Sequence, residues 1–196
     1  MRLGNKAGAA VTTMYRNAED WQQIKQAYGP TIDPFVAASG TLTAQWYDEL
    51  DSEAAFATEV APAPAAEVFE ASAGWAFSQA DPLGALVRTS ERQIFTASRD
   101  TVVHNARREG IKFARYASAN ACEWCQVLAT RDAVYYSEES AIAGHDNCHC
   151  MAVPIRSGDE WNPPDYVQQW TDNYNAARDE VGGNINDIVN YMRRNN

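Results

Sequence analysis

The chain has 196 residues, 45% of them apolar and 11% aromatic, and a formal net charge of −10. That length can bury one sizeable core, or one core plus a small appended module. No run approaches the ~18 consecutive apolar residues of a membrane-crossing helix, and the acidic balance argues against nonspecific nucleic-acid binding by the surface as a whole.

The first predicted helix covers about Ala7 to Tyr28, with Val11, Met14, Tyr15, Ala18, Trp21, Ile24 and Tyr28 spaced by threes and fours. Gly29-Pro30 is expected to end it. Asp33 before Pro34 reads as the start of a second helix carrying Phe35, Leu42, Trp46 and Leu50 on one face. The stretch Thr58 to Ala66, with Ala61-Pro-Ala-Pro, reads as a connection that cannot stay helical. A short helix follows at about Ala65 to Gln79. Asp81-Pro82 then starts the longest one, about Leu83 to Glu109, with Gly110 as its stop.

After Gly110 the period changes. Ile111 to Ala117 alternates like a strand with one buried face, Glu123 to Thr130 suits a helical turn, and Ala133 to Tyr136 suits a second short strand. Asn147 to Ile155 suits a third. Beyond Arg156 a helix carries Tyr166, Trp170, Tyr174 and Ala177, Gly182-Gly183 breaks it, and Ile185, Ile188, Val189 and Met192 mark a last one. These tail positions suit packing, or a helix offered to a partner. The expected fold class is α+β and mainly α-helical. It divides into a helical region over 1–82, a long helix plus a small β-module over 83–155, and a helical tail over 156–196.

Charge is uneven along this order. Between Asp48 and Asp81 stand eight acidic residues and no basic one, while Arg88, Arg92, Arg99, Arg107, Arg108, Lys112 and Arg115 follow. Two solvated helix faces of opposite sign account for this, as does a basic helix that docks on an acidic partner or a nucleic-acid backbone.

All four cysteines and two of the three histidines fall between Cys122 and Cys150. The pattern is Cys122-Glu-Trp-Cys125, nineteen residues, then His145-Asp-Asn-Cys148-His149-Cys150. Two compact ligand clusters on a short connection are what a tetrahedral zinc site needs. The N-terminus lacks the apolar run of a secretory signal, which favours a reducing compartment and disfavours disulfides. Six candidate ligands suit a closed structural site better than a catalytic one with an open position. The expected ligands are Cys122, Cys125, His145 and Cys150, with Cys148 the competitor for the last place. In an extended strand Cys148 and Cys150 share one side and His149 faces the other. Zinc would then serve as a folding element for a β-unit too small to stand alone.

The segment Cys122-Glu-Trp-Cys125-Gln-Val-Leu-Ala-Thr-Arg-Asp-Ala-Val-Tyr, followed by His145-Asp-Asn-Cys148-His-Cys150-Met-Ala-Val-Pro, resembles the MuF-like minor capsid proteins of tailed bacteriophages, in particular their actinobacterial phage forms. The likeness is carried by motifs over about Leu83 to Ile155 and is architectural before that. Asp132 departs from the glycine usual in that family, which alters the turn after Arg131 and leaves the ligands intact. The resemblance implies a virion component: a minor head protein, present in a few copies per particle, near the portal and the head interior. It would be assembled in the host bacterial cytoplasm and act in head assembly or in DNA packaging and delivery. The implied partners are the portal and other head proteins, with DNA close by inside the capsid and no membrane.

Two other function classes use the same residues. A metal-dependent hydrolase or nuclease would draw on His145, Asp146, His149 and Glu123, although the spacing matches neither an HNH nor an H-E-x-x-H arrangement. A cysteine-based enzyme would use Cys122 or Cys150 with His149 as base and Asp146 as orienter. The strand geometry that turns His149 away from its neighbours opposes that dyad. No organised catalytic set is read from the sequence, so the chain is expected not to be an enzyme.

Overall fold

The computed structural model describes residues 2–50, 56–131, 134–135 and 148–195. Among these, seven helices and one two-stranded antiparallel sheet follow in the order α1 (Arg2–Asn17), α2 (Trp21–Glu49), α3 (Ala66–Phe77), α4 (Pro82–Glu109), β1 (Lys112–Tyr116), α5 (Glu123–Ala129), β2 (Met151–Ile155), α6 (Tyr166–Val181) and α7 (Ile185–Asn195). The mainly helical α+β class expected from the sequence is the one found. The chain forms two compact units, one comprising residues through Asn105 and the other beginning at Ala106.

The core of the first unit collects Ala7 and Val11 from α1, Ile24, Tyr28, Ile32 and Val36 from α2, Phe69, Ala73 and Ala76 from α3, and Ala85, Leu86 and Ile94 from α4. Two local expectations are corrected here. The first helix stops at Asn17, where Asp20 caps a new one by accepting a hydrogen bond from the Gln23 amide at 2.9 Å. That new helix then runs through Gly29-Pro30 and Pro34 to Glu49. Each interior proline removes a backbone donor and costs about 3 kcal/mol. Packing outweighs this, because Ile24, Tyr28, Ile32 and Val36 keep one buried stripe across both prolines while the prolines face solvent. Gly29 lies so close to Phe69 that a Cβ would sit 3.3 Å from the phenylalanine Cβ.

Buried polar groups tie α2 to α4. The Tyr28 hydroxyl donates to the Leu86 carbonyl at 3.2 Å, Ser39 Oγ to the Ile94 carbonyl at 2.8 Å, and Thr43 Oγ1 to Ser98 Oγ at 2.8 Å. The partners advance together along both chains, so the two helices run side by side in the same direction. The connection expected at Thr58 to Ala66 is extended and pinned by α4 side chains. The Glu59 amide donates to Asn105 Oδ1 at 2.9 Å, while Asn105 Nδ2 donates to the Glu59 carbonyl at 2.7 Å. Asn105 thus does for this segment what a neighbouring strand would do.

Arg107, Arg108 and Lys112 of the basic run are exposed, but two of its members are not. Arg99 and Arg115 are only 1% and 3% exposed. A charged side chain that leaves water must be compensated inside, so these two belong to the packing of their units.

In the second unit, α4 ends in a Schellman motif. The Gly110 amide donates to the Arg107 carbonyl at 3.1 Å and the Ile111 amide to the Ala106 carbonyl at 2.9 Å, with Gly110 at φ 74°. β1 then pairs with β2 in the register Lys112–Ile155 to Tyr116–Met151. Pro154 lies opposite Phe113, and Phe113 sends both backbone groups the other way, donating to the Tyr135 carbonyl at 3.1 Å and accepting from its amide at 3.3 Å. The missing proline donor is therefore not called for. Arg156, just past β2, grips Glu109 at the end of α4 through Nε at 2.7 Å and Nη2 at 3.3 Å. The expected strand at Ala133 to Tyr136 is represented among the described residues by the Tyr135 bridge to Phe113; Ala133 and Tyr136 lie outside the described residues, as does Asp132.

The tail helices are packing elements. Val127 of α5 meets Ala177 of α6 and Ile188, Val189 and Met192 of α7 in one buried cluster.

Two expected outcomes follow from these elements. Pro30→Ala should stabilise the chain, by up to about 3 kcal/mol, read as a higher midpoint in urea unfolding; a lower midpoint would mean that the proline is itself needed. Val153→Pro should cost about 3 kcal/mol, whereas Pro154→Ala should stay within about 1 kcal/mol. Equal losses from the two would contradict the hydrogen-bond alternation of the sheet.

Candidate metal centre

Three segments deliver the site. The first is the start of α5, whose N-cap is Cys122 in extended conformation. Its carbonyl accepts from the Gln126 amide at 2.9 Å. This closes a turn that brings the Cys125 thiol back towards Cys122, to which it is hydrogen-bonded. The second is the approach to β2, where Cys148 and Cys150 are buried and the intervening His149 is exposed. That is the alternation the C-x-C spacing predicts. The third is β1 with the residue that follows it: Phe113, Arg115 and Ala117 are buried at two-residue steps, and Ala114 on the other face is buried as well.

Cys125, Cys148 and Cys150 are 2%, 3% and 2% exposed, and their sulfur atoms all lie within 4.8 Å of one another. Cys125 Sγ and Cys148 Sγ are 3.5 Å apart. That is contact and not a disulfide, whose sulfurs sit at about 2.05 Å; all four cysteines are free thiols. In a tetrahedron with metal–sulfur bonds of about 2.3 Å, the sulfurs are about 3.8 Å apart. The Cys125–Cys148 spacing of 3.5 Å is close to that value, and the other two are no longer than 4.8 Å. The surroundings are apolar: Ala117, Ala129, Val167 and Trp170 close the cluster, with Ala121, Cys122 and Tyr166 at its edge. Tyr166 also anchors α6 by donating to the Ala117 carbonyl at 2.8 Å, and its ring meets Trp170 with centroids 4.8 Å apart.

The electrostatics are those of crowded, buried thiols beside one buried cation, Arg115. Hydrogen bonds with Cys122, and then with Cys148 and Cys150, push the Cys125 thiol well above its ordinary range, and burial adds to this. For Cys150 the bond with Cys125 acts downward, but the bond with Cys148 and burial outweigh it and the net shift is upward. Burial acts to lower the Arg115 pKa, and the charges of Cys150, Cys125 and Cys148 more than reverse that. Several thiols this close cannot all ionise without a cation between them. A divalent ion deprotonates its thiol ligands outright, so the chemistry and the spacing of this set both fit zinc.

Of the residues expected as ligands, Cys125 and Cys150 are brought together, and Cys148, the competitor for the last place, lies in the same group. Cys122 adjoins Cys125 at the half-buried edge. His145 and Asp146 lie outside the described residues. Glu123 is engaged by Arg193, with Oε2 to Nε at 3.6 Å. His104 of α4 faces Glu59 across 3.5 Å. The residue that sequence reasoning passed over is Arg115. Its Nη2 lies 3.6 Å from Cys148 Sγ and 3.8 Å from Cys125 Sγ. Counted with the basic run it looked like a surface charge. The signal that could have found it is its place between Phe113 and Ala117 on the apolar side of an alternating strand.

A family model for the VG15 protein matches residues 6–177. The chain belongs to the VG15 family, a family of viral proteins. No curated protein and no solved structure matches it. The match runs through both units of this VG15 protein and takes in the whole cysteine segment. No helix among the described residues is long and apolar enough to cross a membrane.

If the sulfur cluster is a folding element, Cys125→Ser should destabilise the protein by on the order of 3–5 kcal/mol, since loss of a metal ranks among the large mutational effects. Chelator should lower the wild-type melting temperature and leave the variant unmoved. A variant with wild-type stability would sink the assignment.

Proposed function

We propose that this VG15 protein is a structural virion component, a MuF-like minor head protein of a tailed phage, whose second unit is closed by a zinc ion. The observation that carries the reading is the burial of three convergent thiols in an apolar nest. Catalytic zinc keeps a position open for water, whereas a structural site is closed by protein on all sides. Membership of a viral family over most of the chain supports the virion half of the reading, as does the motif order from Cys122 to Pro154.

In this reading Cys125, Cys148 and Cys150 supply three ligands, and Cys122 or His145 supplies the fourth. The ion takes over what a larger core would do for β1, β2 and α5. The role is to hold a small, mixed surface rigid within a head assembly whose partners are the portal or other head proteins. Less supports an enzyme. Glu123 is held in an ion pair, and His149 is exposed while its neighbours Cys148 and Cys150 are buried. Neither a metal-assisted base nor a cysteine–histidine dyad is favoured by that arrangement.

Mass spectrometry of purified particles of the phage that encodes the chain should find it there at a few copies per portal. The purified protein should leave DNA intact with zinc, magnesium or manganese added. Absence from particles, or cleavage that is lost on chelation and on His145→Ala, would overturn the reading. Zinc content of Cys122→Ser and His145→Ala separates the two candidates for the fourth position, because only loss of the true ligand weakens binding.

A further inference from the structure

We infer that Arg115 is a built-in countercharge for the metal centre and a positioning residue for its sulfur ligands. The inference rests on the metal reading of the cysteine cluster and adds a residue that donates to sulfur without binding the ion.

The geometry is specific. Arg115 stands at the middle of β1, directly opposite Ala152 of β2, and the next residue on its own face is Ala117. Two alanines leave the long side chain room to fold over the sheet without displacing packing. Its Nη2 reaches Cys148 Sγ at 3.6 Å and Cys125 Sγ at 3.8 Å, one sulfur from each half of the ligand set. These are distances for N–H donors on sulfur, which is larger than oxygen. Both contacts are made by Nη2, whose two N–H donors lie in the fixed plane of the guanidinium fork, an arrangement that a rotating lysine ammonium would not reproduce.

Charge gives the same answer. Three thiolates and one divalent ion sum to −1, and a fourth thiolate makes −2. Such a charge in an apolar nest is costly unless it is compensated. An arginine at 3% exposure carries the opposite cost. Neutral thiols are weak acceptors and would do little for that cation, whereas metal-bound thiolates are strong ones. Ionised sulfurs would give the Arg115 guanidinium strong acceptors at the distances observed. With Arg115 counted, the centre is neutral with three thiolates and a histidine, and −1 with four thiolates. Donors to ligand sulfur also lower its donor-orbital energy, which orients the ligand and slows attack on it.

The test uses the full chain loaded with cobalt(II), whose sulfur-to-metal charge-transfer band reports on the thiolates. It compares wild type with Arg115→Met and Arg115→Lys. Removal of the N–H donors in Arg115→Met should move the band to lower energy and weaken metal binding about 10- to 100-fold. Arg115→Lys keeps the charge and loses the fork; it should recover much of the affinity while the band stays displaced. Arg115→Lys alone decides the matter if Arg115→Met does not fold. A wild-type band and wild-type affinity in the folded variants, whatever their melting temperatures, would reduce Arg115 to a packing residue and leave the metal reading intact. Failure of the wild type itself to take up cobalt or zinc would remove the metal reading and this inference together.

Discussion

The crowding of three thiols within 4.8 Å, inside an apolar shell and beside a buried guanidinium, is the constraint on which the second unit depends. The elements that carry the sulfurs are small. The sheet has two strands of five residues and α5 has seven, sizes that are marginal in water without outside help. What surrounds the sulfurs is arranged to keep them together. Cys122 caps α5 so that the C-x2-C turn closes, the register of β1 with β2 sets the approach that carries Cys148 and Cys150, and α6 covers the nest with Val167 and Trp170. A divalent ion would turn mutual repulsion among ionised sulfurs into attraction, and Arg115 would offset the remaining negative charge.

The first unit rests on a different principle. Its helices share an ordinary apolar core, and its polar groups are satisfied by side chains reaching across helices: Tyr28, Ser39 and Thr43 towards α4, and Asn105 towards the extended segment after α2. Gly29 and Gly40 permit close approach, since a Cβ at Gly40 would come within 2.7 Å of Val60 Cγ1. Here shape and hydrogen bonding do what sulfur and charge do in the second unit.

Much of this was legible in the sequence, for physical reasons that differ by element. The helices from α3 onward, the change to a two-residue period after Gly110, and the packing role of the tail all followed from apolar spacing. The boundary between α1 and α2 did not. Gly29-Pro30 and Asp33-Pro34 are strong local breakers, yet Ile24, Tyr28, Ile32 and Val36 continue one stripe across them, and burial outweighs local preference. At the site, the spacings pointed to Cys122, Cys125, His145 and Cys150, with Cys148 the competitor; Cys125, Cys148 and Cys150 are brought together, His145 lies outside the described residues, and His149 is exposed between two buried cysteines. Cys148, read as a competitor of Cys150, lies in the same group of sulfurs as Cys150, on the side that the alternation gives them both. Arg115 was hidden by its charge. Grouped with neighbouring basic residues it looked like surface, whereas the strand period had already put it inside.

X-ray absorption at the zinc edge, on protein purified under reducing conditions without added metal, tests the central claim most directly. About one zinc per chain, with three or four sulfur neighbours at about 2.3 Å, is the predicted result. No bound zinc, or zinc surrounded by oxygen and nitrogen alone, would contradict the account.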